Sequence, residues 1–419
     1  MAKLNEAQII EIKTDLSEKF LTQSQIASNF GVSRSVISDI ATGRVHKDII
    51  VEATEEDTQF LKMRGEIEHL REERNNYRRQ LKAAAKTQGL FTAIVDEMEE
   101  RVKPFKSLPK IWNGFNPSAV CLEEHLVMHL SDGHHDQIVT PSDTGGLETY
   151  NFPISVCRAE HYVDTILKWT QETLNPQFSF PTLTVLAYGD HTSGEIHGHT
   201  SRSYFRNAFK NALAIGQLHS LMYRDLAPYF NQVNVVYVPG NHGRRSIKKD
   251  YHGAHDNWDY LIAKTAEMYC ASLDNVNFTI PNSFSINLDI AGVGFNIFHG
   301  DDIRSSLGIP WYGLERRRQR ITALNTVQDG VPVRYHCCGH FHRCGSTSEL
   351  NGEMLINGSW VATDAFAFNA LGGYTEPTQL IHGVNKKHGI TWRLPVRMRC
   401  PYESKGPRRY KIDMMEDVG

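Results

Sequence analysis

The sequence predicts a layered α/β domain preceded by an all-α module and a helical arm, and three observations carry that prediction. Five apolar stretches read as buried strands: His125 to Leu130, Leu183 to Tyr188, Val233 to Val238, Val293 to Phe298 and Val333 to Cys338. These stretches alternate with helical patterns around residues 155–174, 203–229, 256–272 and 311–326, as expected of a layered structure with a central sheet. Residues 5–20 instead carry apolar positions at helical spacing, and a helix-turn-helix pattern follows them.

The N-terminal module comes first. Ile9, Ile12, Leu16 and Phe20 fall on one helical face, and residues 22–40 then follow a helix-turn-helix pattern. Ala27 permits close helix approach, Gly31 makes the turn, Val32 and Ile37 pack inside, and Ser33 caps the second helix. In a DNA-binding module, Arg34, Ser35 and Ser38 would face a major groove while Arg44 and Lys47 touch phosphates. The plainer role is a small module that binds protein or dimerises. Six basic and six acidic side chains in residues 1–50 leave charge undecided, and the turn pattern favours DNA.

An arm follows the module. Phe60, Met63, Ile67, Leu70, Arg74, Tyr77, Leu81 and Ala84 alternate gaps of three and four, a heptad seam suited to a coiled-coil homodimer through residues 60–84. Gly65 and Arg74 weaken the seam, and a second helix from Leu90 to Val102 could fold back as a hairpin instead. Pro104 and Pro109 mark the linker. The resulting division is a module over 1–50, an arm and linker over 51–110, the α/β domain over 111–397 and a polar tail over 398–419. The tail, with Lys405, Arg408, Arg409 and Lys411, reads as a mobile segment or an interaction strand.

Within the α/β region, each apolar stretch ends on a short polar motif. In order, these are Asp132-Gly133-His134, Gly189-Asp190, Gly240-Asn241-His242, His299-Gly300 and Gly339-His340-Phe341-His342. Ligands in open α/β sheets sit beyond the carboxyl ends of the strands, so five such ends imply one shared site. Alternate residues of an extended segment lie on one side, so His340 and His342 would face the same way. Asn241 offers a neutral carbonyl oxygen.

The order and spacing of these motifs resemble the calcineurin-like metallophosphoesterase family, whose pattern is D-x-H, G-D, G-N-H, H and G-H-x-H; the likeness runs from Glu123 to Ser359. The resemblance implies two packed mixed sheets flanked by helices and two divalent ions roughly 3.5–4 Å apart that clamp a phosphate. Carried over motif by motif, Asp132, His134, Asp190 and His342 would hold one ion. Asp190, Asn241, His299 and His340 would hold the other, with Asp190 as the bridge. His242 would stay off the metals and serve the leaving oxygen as general acid or electrostatic partner. The mixed carboxylate, imidazole and amide set suits Mn²⁺, with Zn²⁺ and iron as alternatives.

Arg244 and Arg245 are candidates for phosphate contact, against the plainer role of solvated loop charges. Two departures from the family pattern stand out. Gly243 occupies a position that is acidic in many relatives and helps hold the histidine, and His191-Thr192-Ser193 replaces the usual acidic or polar position after Gly189-Asp190. Asn357-Gly358-Ser359 also matches a family segment, although alone it reads as a tight turn.

The chain carries 20 histidines, and His125, His129, His219, His252 and His336 read as ordinary core or surface residues. His135 and Asp136 sit where they could support the first motif, and His197 and His199 lie on the loop leaving Asp190. Length suggests two or three domains, and 40% apolar residues support a sizeable core. A formal net charge of −3 provides no global basic footprint, so nucleic-acid binding must come from local patches such as Glu315-Arg316-Arg317-Arg318-Gln319-Arg320. The 7 scattered cysteines contain no Cys-x-x-Cys pair and read as reduced, packed residues. With no long apolar run and no signal-peptide pattern, no membrane role is expected and the cytoplasm is the expected compartment.

The leading functional expectation is a DNA nuclease, similar to the DNA-repair exonuclease branch of the family, with an appended DNA-binding module. A phosphatase or phosphodiesterase of a small, even cyclic, nucleotide is the second reading. A DNA-binding regulator on a non-catalytic phosphoesterase scaffold is the third.

Overall fold

The computed structural model describes residues 4–18, 21–49, 69, 70, 73, 94, 95, 98, 99, 102–106, 122–175, 177–196, 202–250, 253–303, 310–325, 331–349 and 352–416. Two compact units divide the chain, Met1–Lys82 and Ala83–Gly419.

In the first unit, α1 (Glu6–Glu18), α2 (Gln23–Asn29) and α3 (Arg34–Ala41) pack around Ile12, Ile26, Ala27, Ile37 and Ile40, with Val32 half-buried against them. Thr22 starts α2 with a capping box to Gln25, satisfying two N–H groups that a helix start leaves unpaired. Gly31 turns the chain at φ 63°, a conformation costly for residues with a Cβ. Ser33 holds the cap position of α3, but its hydroxyl bonds Ser35 Oγ at 2.7 Å and makes no cap hydrogen bond, contrary to expectation. The second hydroxyl within reach competes with the backbone donor. Most of the 60–84 seam lies outside the described residues; within it, residues 69, 70 and 73 are helical.

The second unit is built from two sheets. One runs in the order β11-β10-β1-β2-β3-β4 and the other β5-β6-β7-β9-β8. The first comprises β1 (Leu122–Leu130), β2 (Phe178–Ala187), β3 (Gln232–Tyr237), β4 (Val276–Thr279), β10 (Thr378–Asn385) and β11 (Gly389–Arg397). The second comprises β5 (Ser285–Ile290), β6 (Val293–Phe298), β7 (Val333–Cys338), β8 (Gly345–Glu349) and β9 (Gly352–Ile356). Strands β1 to β4 are parallel, as are β6, β7 and β9, while antiparallel strands extend both sheets.

Strand alternation divides the core. Val127, Leu186, Val236 and Leu380 meet Phe295, Ile297, Cys337 and Leu355 between the sheets. The opposite face of the first sheet, with Leu126, Met128, Leu183 and Val235, packs on α4 (Phe152–Lys168), α5 (Ala208–Leu226) and α6 (Trp258–Tyr269). Beyond the second sheet, α7 (Trp311–Asn325) buries Leu314 against Phe298, Cys338, Met354 and Ile356. Each such aliphatic side chain contributes about 1.5–3 kcal/mol through burial. The layering is therefore helix, mixed sheet, mixed sheet, helix, as the sequence predicts.

Two segments differ from expectation. The second stretch of the arm joins this unit, because Val95 and Met98 are buried in its core. The tail is packed rather than mobile: Met398, Tyr410 and Ile412 are buried, and the backbone N–H groups of Arg408, Arg409 and Tyr410 all donate to the Glu160 carboxylate on α4. Six cysteines among the described residues are unpaired, as expected. No helix among the described residues is long and apolar enough to cross a membrane.

Candidate metal centre

Both sheets send their parallel strands to one end, and the loops beyond β1, β2, β3, β6 and β7 carry the motif residues. Backbone and side-chain bonds knit those loops across the sheets. Asp132 N donates to Gly189 O at 3.0 Å, Gly339 N to His299 O at 2.9 Å, and His340 N to Asp132 Oδ1 at 2.8 Å. Gly189 and Gly240 allow the second and third loops to touch, since a Cβ on Gly189 would lie 2.2 Å from Gly240 N.

The side chains meet in three overlapping groups: Asp132, His134 and His342; His134, Asp190 and His242; and Asp190, His299 and His340. Within each, the donor atoms lie within 4.8 Å of one another. Asn241 completes the third group, with its Oδ1 at 3.1 Å from His299 Nε2. All seven expected ligands therefore converge, and Asp190 belongs to two groups, as a bridge must. His242, expected off the metals, stands within ligand reach of His134 and Asp190.

Five of these seven residues have left-handed backbones: Asp132 (φ 51°), His134 (φ 40°), Asp190 (φ 54°), His340 (φ 67°) and His342 (φ 54°). Such conformations cost about 1–3 kcal/mol each and persist where surrounding bonds impose them. Here the imposing bonds are those between loops. The left-handed backbones thus cluster at the residues whose donor atoms converge.

The electrostatics fit a cation. Burial pulls the His299 pKa down, yet the Asp190 carboxylate, 2.8 Å away, and Asp132 and Asp301 push it up to about 10. Burial would raise Asp190, but His299 and His242 hold it well below the usual carboxylate range. Burial, then the positive charge on neighbouring imidazoles, lowers His134 strongly, and its buried Nε2 has no hydrogen-bond partner. A divalent ion would give that nitrogen a partner and replace the proton on His299. Two carboxylates, an amide oxygen and imidazoles therefore suit a pair of divalent ions.

Sequence reasoning missed Asp259, at the start of α6. Its carboxylate accepts from Asp190 N (3.1 Å), Gly240 N (2.8 Å) and His191 N (3.2 Å), tying the second loop to the third. Burial and the Asp190 charge push Asp259 up to about 6. A Cβ at Gly243 would lie 1.9 Å from Asn257 Oδ1 and 3.0 Å from Asp259 Oδ2. The space a side chain at 243 would need is thus filled by Asn257 and Asp259. Asn357 was also underread. Buried beyond β9, it donates to Ser131 Oγ and Gln379 Oε1 and accepts from Leu380 N, so it braces the first loop. Its only sequence signal was the Asn-Gly-Ser segment.

The remaining candidates divide. Asp136 supports the site, accepting from Ser193 N at 2.7 Å and Asn211 Nδ2 at 2.8 Å. Arg244 turns back, its Nε donating to Asn241 O at 3.0 Å, and exposed Arg245 lies 3.7 Å from Asp256. Both sit on the loop beyond His242. In the basic run, Arg318 pairs with Glu315 at 2.7 Å, and Arg317 pairs with Asp302 while lying over Phe298. That helix face is partly neutralised. Arg34, Ser35, Arg44 and Lys47 are exposed on the first unit and Ser38 is half-buried, with Arg44 3.5 Å from Asp39. His197, His199 and His252 lie outside the described residues.

No protein-family model and no curated protein matches the chain. Among solved structures, a zinc complex of Vps29 from Entamoeba histolytica is similar at 11% identity and TM-score 0.28, over 65% of this chain and 99% of that one. An archaeal phosphodiesterase is similar at 11% identity and TM-score 0.30, over 65% and 99%. A protein of Streptococcus pneumoniae described as a predicted phosphoesterase is similar at 9% identity and TM-score 0.28, over 67% and 99%. These overlaps are loose, and the chemistry of the centre rests on its own residues.

Proposed function

We propose that this chain is a dinuclear-metal phosphoesterase that hydrolyses phosphodiester bonds, with DNA as its substrate. The observation that carries the reading is the run of overlapping donor groups through Asp190, fed by five loops from two sheets. Asp132, His134, Asp190 and His342 would hold one ion; Asp190, Asn241, His299 and His340 would hold the other. Two bound divalent ions, for which we favour Mn²⁺, would polarise the phosphate and lower the barrier to attack by water.

The chain's own residues supply the rest. His242 Nδ1 lies 3.1 Å from Ser193 O, and its backbone N donates to Asp190 Oδ1 at 2.7 Å. A carbonyl acceptor at Nδ1 orients the ring, as a proton donor to the leaving oxygen requires. Asp259 holds the loops of Asp190 and Asn241 at fixed separation. Exposed Arg34, Ser35, Arg44 and Lys47 support a DNA role for the N-terminal unit, and the 60–84 seam supports pairing of two chains.

The test is an incubation of the full chain and Mn²⁺ with single- and double-stranded DNA, a cyclic dinucleotide and a chromogenic phosphomonoester. Metal-dependent DNA cleavage, lost in Asp190→Ala, is expected. Turnover of the small substrates alone would replace DNA by a small nucleotide, and no turnover with Mn²⁺, Zn²⁺ or iron would leave a binding protein.

A further inference from the structure

Behind the donor cluster lies a second group of metal-ligating side chains that the proposed reaction does not use. His135, His191 and His219 each offer a ring nitrogen within 4.8 Å of the others, and all three are fully buried. They come from separate elements: His135 from the loop after β1, His191 from the loop after β2, and His219 from the middle of α5.

The geometry is that of ligands facing a common point. His135 Nε2 and His219 Nε2 are 3.2 Å apart. Two imidazole nitrogens held at about 2.0–2.1 Å from one tetrahedral ion would stand roughly 3.4 Å apart. The far nitrogens of both rings are anchored to hydroxyls, His135 Nδ1 at 2.6 Å from Ser155 Oγ and His219 Nδ1 at 2.8 Å from the Tyr237 hydroxyl. The Tyr237 hydroxyl lies 2.7 Å from that of Tyr223. Ligating histidines characteristically donate the outer N–H to such an acceptor, which fixes the tautomer and turns the inner lone pair toward the ion. His191 supplies an independent sign: both its ring nitrogens are buried without a hydrogen-bond partner, while its ring packs edge-on to His219 at 4.8 Å. Buried polar groups are rarely left so.

We propose that His135, His191 and His219 form a third metal site, structural in role, for a transition-metal ion of the Zn²⁺ class. Three imidazoles without an oxygen donor suit Zn²⁺ better than Mn²⁺ or Mg²⁺. Buried Asp136, the sequence neighbour of His135, offsets part of the added charge. The site would clamp the first and second motif loops to α5. It shares no side chain with the dinuclear ligands, so it stands or falls separately from the phosphoesterase reading.

The test is zinc content by mass spectrometry after the full chain is stripped with chelator, reloaded with Zn²⁺ and desalted. Three ions per chain are expected in the wild type, two in His219→Gln and one in Asp190→Ala. Equal zinc content in wild type and folded His219→Gln overturns the proposal. A single ion in the wild type that survives Asp190→Ala but is lost in His219→Gln would uphold this site while removing the dinuclear reading. Should His219→Gln fail to fold, Co²⁺ loading of Asp190→Ala decides: an intense tetrahedral visible spectrum saturating at one equivalent upholds the site, and its absence overturns it.

Discussion

In the half of the donor cluster around Asp190, the side chains satisfy one another. His299 Nε2 lies 2.8 Å from Asp190 Oδ2 and 3.1 Å from Asn241 Oδ1, and its Nδ1 lies 2.9 Å from Tyr188 O. In the half around Asp132, the same residue types are less engaged. His134 Nε2 has no hydrogen-bond partner, and His342, its side chain 34% exposed, stands 3.4 Å from Asp132 Oδ1. A cation entering the Asp190 half must displace an ion pair held at 2.8 Å, whereas one entering the Asp132 half meets a longer pair, 3.4 Å, and the unpartnered His134 nitrogen. The halves should therefore load with different affinities, the Asp132 half being the less obstructed and the Asp190 half the more rigid.

The largest expected effect comes from the residue the halves share. Asp190→Ala should empty both dinuclear positions of Mn²⁺ and reduce phosphodiester hydrolysis to background. Asp132→Ala should release one of the two ions. Calorimetric Mn²⁺ titration separates these outcomes, and loss of both ions in Asp132→Ala would show that the halves are not independent. His242 comes next. Its ring lies edge-on to His134 at a centroid distance of 4.7 Å, close enough to ligate, although the proposed role is proton donation. His242→Ala should lower kcat by about 10²–10⁴-fold with Mn²⁺ content unchanged. Loss of one ion would instead make His242 a ligand of the Asp132 half.

The comparison also bears on what could be read before folding. Every proposed ligand of the dinuclear centre was legible, because each stands at or just beyond an apolar strand, and parallel strands bring such ends together. The layer order was legible because apolar stretches alternate with helical patterns. Asp259 was not, since nothing in the α6 sequence states which loop its first turn will face. Packing of that helix on the sheet sets the contact, and the clue was indirect, a glycine at 243 where an acid was expected. The tail was misread for a related reason. Its buried Met398, Tyr410 and Ile412 lie among polar residues with no strand or helix period, and their partner Glu160 belongs to a distant helix. His219 looked ordinary because its neighbours are close only in space. The 60–84 seam lies largely outside the described residues, so its pairing rests on spacing alone.

Asp259 sharpens the contrast because its bonds serve the rigid half. Its three backbone donors fix the Asp190 and Gly240 loops, and exchanging an oxygen for an amide nitrogen would set N–H against N–H at one of them. Asp259→Asn should weaken Mn²⁺ binding at the Asp190 half by about 10–100-fold, the range for groups that support ligands. A uniform loss at both halves, or a fall in kcat with metal affinity intact, would assign Asp259 another role.

The smallest effect is expected on the open half. Ser131 Oγ donates to Asp132 Oδ2 at 2.6 Å and accepts from Asn357 Nδ2 at 3.0 Å, so it orients one ligand through one bond. Asp132 also accepts from His340 N and keeps its backbone links to Gly189 and Trp360, which survive loss of the hydroxyl. Ser131→Ala should therefore weaken Mn²⁺ binding about tenfold, the lower end of that range, and only at the Asp132 half. Because Ser131 bonds the Asp132 carboxylate and Asp259 the backbones of Asp190, His191 and Gly240, their effects in a double variant should add in free energy to within about 0.5 kcal/mol. A larger departure from additivity would mean that the two halves are coupled through Asp190 strongly enough to load as one unit.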